Sequence, residues 1–278
     1  MTDTPDEDPV RAHFRRDADY WRSIYEDDGD RAGAVYHERL EQVLAGVDAL
    51  GLTTPVHAID VGAGAGLASV ALAERGYDVL AVDSTSRMLE LTEARAAAAG
   101  QVVRVVEADA SSLPVDAASV DLVVAVGLIP WLVDPRTVLG EFRRVLRPQG
   151  GLVVTADNRW RLTELADPSL SPLFSPVRRW VVRPLKRRRG WSPAPFEPRR
   201  HSRAALEHLL TDAGFDVLES STVGYGPVSI MRRPLPGALS AALERRASRH
   251  AAAPVLRSIG AHVVATATLR EQSKLQDT

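Results

Sequence analysis

A chain of 278 residues, 45% hydrophobic and 25% charged, has the balance of a globular protein that can bury a sizeable core. Its 34 basic and 36 acidic residues leave a formal charge of −2, which argues against a surface built throughout for nucleic acid. The absence of cysteine removes disulfides, thiolate zinc sites and cysteine nucleophiles, and fits a reducing, cytoplasmic compartment.

Residues 1–9 are acidic and proline-containing with almost nothing apolar, so they predict a disordered tail. They lack the basic and apolar sections of an export signal. Nowhere do about 18 uncharged apolar residues run together, so a membrane-spanning helix is not expected. From Val10, the apolar positions Phe14, Ala18, Trp21 and Tyr25 recur at helical spacing. After Asp27-Asp28-Gly29-Asp30, a second helix carries Val35, Leu40, Val43, Leu44 and Val47. Residues 1–50 thus read as a tail and a helical cap in front of a domain spanning 51–278.

Strand one is Val56 to Asp60, and a glycine loop leads into a helix from about Leu67 to Arg75 that stops at Gly76. Strand two, Asp78 to Asp83, is followed by an alanine-rich helix from Ser86 to Ala99. Val102 to Val106 and Val120 to Val126 are strands three and four. Asp134-Pro135 is an N-cap with proline in the first turn, and Val138, Leu139, Phe142, Val145 and Leu146 give the next helix its buried face. Strand five is Leu152 to Thr155. Apolar strands alternating with helices at this spacing predict a doubly wound α/β domain around a mostly parallel sheet. The pattern then breaks: about 157–200 is rich in proline, tryptophan and arginine and reads as an insertion between strands five and six. The core resumes at His201-Ser202 with a helix to about Ala213, a strand from Phe215 toward Val223, a helix from about Pro236 to Arg249, and a last strand from His262 to Leu269.

Glycines after a first parallel strand let backbone approach a ligand closely, with a helix N-terminus behind them. A dinucleotide fingerprint needs a third glycine at Leu67 or Ser69, and a phosphate-binding P-loop needs a following Gly-Lys-Ser/Thr; neither is present. The residues spell Asp60-x-Gly62-x-Gly64-x-Gly66, with Asp83 at the end of strand two and Asp109-Ala110 after strand three. In this the chain resembles the class I S-adenosylmethionine-dependent methyltransferases, in particular those of the ubiquinone and menaquinone biosynthesis type, which implies a Rossmann-like methyltransferase fold. The resemblance is carried by Val56 to Ala156 and extends to Ser202–Leu269 by topology alone. It implies S-adenosyl-L-methionine as cofactor. Asp60, Gly62, Ala63, Gly64 and Gly66 would hold its amino-acid end and Asp83 its ribose. Asp109 and Ala110 would meet the adenine, and Ser84, Met88 and Val126 are further expected contacts.

Methyl transfer from a sulfonium is a displacement in which orientation in a dry site supplies about 7–11 kcal/mol in favourable cases, so a catalytic base is optional. Many small-molecule members of the family show an acid-histidine pair after strand four; here Pro130 and Trp131 stand in its place. Trp131 is expected to be either an apolar wall or plain packing. The base candidates are His201, first among them, and His37, with Tyr20, Tyr25 and Tyr225 weaker. Tyr25 and Trp160 join Trp131 as substrate-side candidates, and no metal site is expected. The missing cysteine and the lack of an Asn/Asp-Pro-Pro-aromatic element disfavour nucleic-acid substrates. The insertion interleaves Trp160, Trp180 and Trp191 with Arg159, Arg161, Arg178, Arg179, Arg183 and Lys186-Arg187-Arg188-Arg189. It reads as a lid that meets an anionic, partly apolar substrate or an anionic membrane surface, as phosphate-contacting, or as a solvated basic loop. The chain is thus expected to methylate a small, lipophilic or anionic molecule. An RNA or protein methyltransferase, or a non-catalytic cofactor-binding module, are the alternatives.

Overall fold

The computed structural model describes residues 9–18, 31–167, 171, 198–226, 228–230, 233–251 and 253–270. Two helices come first, α1 (Pro9–Arg16) and α2 (Arg31–Ala49). They are followed by β1 (His57–Val61), α3 (Leu67–Ala73), β2 (Asp78–Asp83), α4 (Ser86–Ala98), β3 (Arg104–Glu107) and β4 (Val120–Ala125). A 3-10 turn over Ile129–Trp131 leads to α5 (Pro135–Val145) and β5 (Leu146–Asp157). After the single turn α6 (Leu162–Leu165) come α7 (Arg203–Asp212), β6 (Phe215–Val223), a short hairpin of Ser229–Ile230 with Arg233–Pro234, α8 (Gly237–Arg249) and β7 (His262–Leu269).

The seven strands form one sheet in the order β3-β2-β1-β4-β5-β7-β6. Neighbours from β3 to β5 are parallel, whereas β7 runs antiparallel to both β5 and β6. The expected fold class, a doubly wound and mostly parallel Rossmann-like sheet, is the observed one. Period-two alternation explains why both faces are covered. Ile59, Val61, Val123, Leu152 and Val154 pack against Phe142, Leu139, Leu206 and Leu210 on one side. Ala58, Leu122, Val124 and Val153 meet Val43, Val47 and Leu72 on the other. Each fully buried Leu, Ile or Phe in these layers contributes about 1.5–3 kcal/mol of transfer free energy.

Local chemistry sets the helix starts. Asp134 accepts hydrogen bonds from Arg136 N–H at 3.0 Å and from Thr137 Oγ1 at 2.6 Å, with Pro135 opening α5. Ser202 caps α7 through Ala205 N–H at 3.2 Å.

Two strands differ from the sequence expectation. β5 starts at Leu146 rather than Leu152: Leu146 pairs with Val120, the chain bulges, and Gly151 rejoins opposite Leu122. Gly150 makes this possible, because a Cβ there would lie 2.9 Å from the Arg147 carbonyl oxygen. β3 is displaced toward its C-terminus, and Val102 is left exposed at the sheet's edge. Of the expected tail at 1–9, Pro9 opens α1; residues 1–8, Tyr20, Trp21 and Tyr25, and most of the insertion, including Trp180, Trp191 and the Lys186–Arg189 run, lie outside the described residues. No helix among the described residues is long and apolar enough to cross a membrane.

Candidate active site

The C-terminal ends of the parallel strands open into a cavity of about 720 Å³. This is the edge at which open α/β sheets receive ligands. Its floor is the loop after β1. Gly62 N–H and Ala63 N–H both donate to the Val82 carbonyl, at 2.7 and 3.1 Å, which ties the loop to β2. Gly64 N–H donates to Asp83 Oδ2 at 2.9 Å, and Asp83 Oδ1 accepts from Thr85 N–H at 2.9 Å. Thr92 of α4 donates to the Gly64 carbonyl and Arg95 Nε to the Ala65 carbonyl, both at 2.9 Å, so α4 braces the loop from behind.

Asp60 is buried and accepts from Ser69 Oγ at 2.6 Å. Burial pushes its carboxyl up to about 6 despite that hydrogen bond, and the neighbouring Asp83 adds to the rise. Burial also pushes Asp83 up, against the pull of the Gly64 and Thr85 amides. Two mutually repelling carboxylates beneath a cavity make a site that favours a cation. Asp109 differs: Ser111 donates to its Oδ1 through both hydroxyl and amide, at 2.7 and 2.9 Å, which holds its pKa below the usual range. Among the described residues no hydrogen bond reaches its second oxygen. Ala63, Ser84, Met88, Ala110, Val126 and Trp131 complete this half of the cavity. Trp131 stacks edge-on against Phe14 of α1 at 4.9 Å and lies 5.4 Å from His13, so the N-terminal helix closes the apolar end.

Several expected residues lie elsewhere. Gly66 does not line the cavity. At φ +77°, its Cβ would lie 2.9 Å from Thr92 Cα, so this glycine serves the approach of α3 to α4. His201 is also outside: its N–H donates to the Asp157 carbonyl at 2.8 Å, and burial, with Arg199 nearby, lowers its imidazole pKa. His37 on α2 and Trp160, which lies under the Arg159 guanidinium, are not in the wall either. Tyr225 is buried, with its hydroxyl donating to the Thr222 and Leu256 carbonyls, a structural role.

The other half of the cavity holds a polar cluster of Tyr36, Arg39, Asp157, Arg161 and His262; Arg161 is one of the insertion's basic residues, and Arg39, Asp157 and His262 are given no role by the sequence reading. Asp157 ends β5 and His262 begins β7, and the two are cross-strand partners. His262 Nδ1 lies 3.3 Å from Asp157 Oδ1, and Arg161 Nη2 lies 3.3 Å from Asp157 Oδ2. Asn158 fixes this register by donating from Nδ2 to the Ser258 and Gly260 carbonyls at 2.8 and 2.7 Å. Burial would raise Asp157, but His262, Arg161 and Arg39 hold it down at about 2. Burial lowers His262, and Asp157 offsets that only in part. Arg39 is only 7% exposed, sits 4.8 Å over the Tyr36 ring, and its Nε has no hydrogen-bond partner. No group of three or more His, Cys, Asp or Glu residues placed to hold a metal occurs among the described residues.

Residues 59–154 match the family model described as a methyltransferase domain. Over 156 residues it is 33% identical to a malonyl-[acyl-carrier protein] O-methyltransferase of Xylella fastidiosa (strain M23), covering 52% of each chain. A demethylmenaquinone methyltransferase of Clavibacter sepedonicus is 41% identical over 96 residues, 34% of this chain and 39% of that one. The chain thus spans about half the length, or less, of these curated relatives. Among solved structures, the magnesium protoporphyrin IX methyltransferase of Synechocystis PCC 6803 aligns with TM-score 0.59 at 16% identity, covering 94% of this chain and 97% of that one. At that identity the likeness establishes the fold alone.

Proposed function

We propose that the chain is an S-adenosyl-L-methionine-dependent methyltransferase acting on a small molecule. The observation that carries the reading is the convergence of Asp60, Asp83 and Asp109, from three successive strand ends, on one cavity floored by a glycine loop. The residues present fit the cofactor. Buried Asp60 suits its ammonium, and the two oxygens of Asp83 can accept from both ribose hydroxyls. Asp109 Oδ2 and the Ala110 N–H suit the edge of adenine, between the apolar walls of Met88 and Trp131. Bound there, the cofactor supplies an activated methyl group on a sulfonium.

The chain's own residues supply placement and dryness. α1 and Trp131 cover the adenine end, and the polar cluster around Asp157 faces the space left for an acceptor. A cavity of about 720 Å³ shared by two ligands favours a compact acceptor or the small reacting end of a larger one. The relatives named for malonyl-[acyl-carrier protein] and demethylmenaquinone support the same class.

The test is incorporation of labelled methyl from S-adenosylmethionine into extract separated into lipid, RNA, protein and small-molecule fractions. The reading expects label in the small-molecule or lipid fraction. Label confined to RNA or to protein side chains contradicts it, whereas label that mild base releases from a carrier protein as a small methyl ester or methanol belongs to the same class.

A further inference from the structure

Resting on that reading, we infer that His262, oriented by Asp157, is the general base of the reaction, and that the acceptor is a phenol or enol whose oxygen is methylated beside Arg39. Three geometric facts converge on this. His262 lines the acceptor half of the cavity with Nδ1 3.3 Å from Asp157 Oδ1, a charge-pair distance without hydrogen-bond geometry, which leaves Nε2 as the ring nitrogen to meet a ligand. The strand register places the carboxylate directly opposite the imidazole, and Asn158 locks the turn that precedes β7. Arg39 brings a buried guanidinium to the same cluster with no ion pair among the described residues.

The charges facing His262 are Asp157 from the end of β5, Arg161 just beyond it, and Arg39 beside Tyr36 on α2. Arg161 has Asp157 for a partner, and Glu164 is taken mainly by Arg200. One positive charge is left over. Burying an unmatched charge costs several kcal/mol, which an anion formed in the cavity offsets. A neutral imidazole among cations is a weak base, suited to hydroxyls that are already acidic. The acceptor O–H bond breaks, its proton passes to His262 Nε2, and the oxygen keeps the electron pair with which it bonds to the methyl carbon. The C–S bond breaks toward sulfur, and the imidazolium later returns its proton to solvent.

The test uses 4-nitrophenol, whose absorbance reports its ionisation, added to the full chain saturated with S-adenosylhomocysteine, at a pH below the free probe's own pKa. Calorimetry in buffers of different ionisation enthalpy counts the protons released. The wild type should bind the probe as phenolate with no net proton released, because the proton stays on His262. His262→Gln should bind it as the neutral phenol or release the proton to buffer, with S-adenosylhomocysteine affinity unchanged. Asp157→Asn, which keeps the shape of the pair, should weaken phenolate formation at least tenfold. A wild type that leaves the probe neutral or unbound overturns the proposal, as does a His262→Gln variant that binds the probe as phenolate with no proton released. A wild type that fails to bind S-adenosylhomocysteine overturns the methyltransferase reading instead.

Discussion

Asp157 and His262 face each other across the antiparallel pair β5–β7, the first at the end of its strand and the second at the start of its own. The 3.3 Å approach of Nδ1 to Oδ1 ties pH to both stability and the acceptor site. Asp157 is depressed to about 2, so its contribution is present above the unfolded carboxyl pKa and is lost as pH falls through about 2. His262, also depressed, acts with the same sign: below its unfolded pKa the unfolded chain takes up the proton more readily. Asp157→Asn should destabilise the protein by about 2 kcal/mol at neutral pH, with the difference from wild type vanishing at the acid end. Denaturant unfolding across the pH range measures this. A constant difference would place the effect in packing rather than charge.

Asp60 behaves in the opposite sense. Its folded pKa is raised to about 6, so its stabilising contribution is fully present below the unfolded pKa near 4 and is lost as pH rises through about 6. Cofactor ammonium should favour the ionised form, so affinity for S-adenosylmethionine should rise over the same interval. Asp60→Asn should melt at or above the wild-type temperature at pH 8 and bind the cofactor at least tenfold more weakly. Parallel melting and calorimetric titrations check both halves.

Two glycines of the loop should separate fold from ligand. At Gly66 an added Cβ meets Thr92 backbone at 2.9 Å, whereas at Gly64 it meets nothing within 4 Å. Both sit at positive φ, so either change costs about 1 kcal/mol of backbone strain. Gly66→Ala should lose about 2–3 kcal/mol of stability in total, because α3 and α4 must part. Gly64→Ala should lose only the strain but weaken cofactor binding. Equal destabilisation in the two variants, read from denaturant midpoints, would contradict the assignment.

Trp131 joins the site to α1 through Phe14 at 4.9 Å. Trp131→Ala should lower cofactor affinity about five- to tenfold and accelerate amide exchange in Pro9–Arg16. His201→Ala, outside the cavity, should leave affinity unchanged.

The fold was legible because apolar strands, caps and glycine stops agreed along the chain, as at Asp134-Pro135 and Ser202. The floor of the cavity was legible because strand-end acids carry both pattern and chemistry. The acceptor half was not. Asp157 escaped because the stretch rich in proline, tryptophan and arginine that begins there read as an insertion, which ended strand five at Thr155, two residues before the acid. His262 and Arg39 come together only through the antiparallel register of β7 and the seat of α2, both set by tertiary packing. The strand-end rule applied at Asp60, Asp83 and Asp109 reaches Asp157 once β5 is carried two residues past Thr155. Gly66 shows the other side of motif reading: its place in the motif suggests ligand contact, and the neighbour its Cα approaches is Thr92.

The most direct test of the account is calorimetric titration of the full chain with S-adenosylmethionine, S-adenosylhomocysteine and NADH at neutral pH. The account predicts saturable binding of the first two, weakened at least tenfold by Asp83→Ala, and none of NADH. Binding of NADH with no binding of either sulfur nucleoside would contradict it.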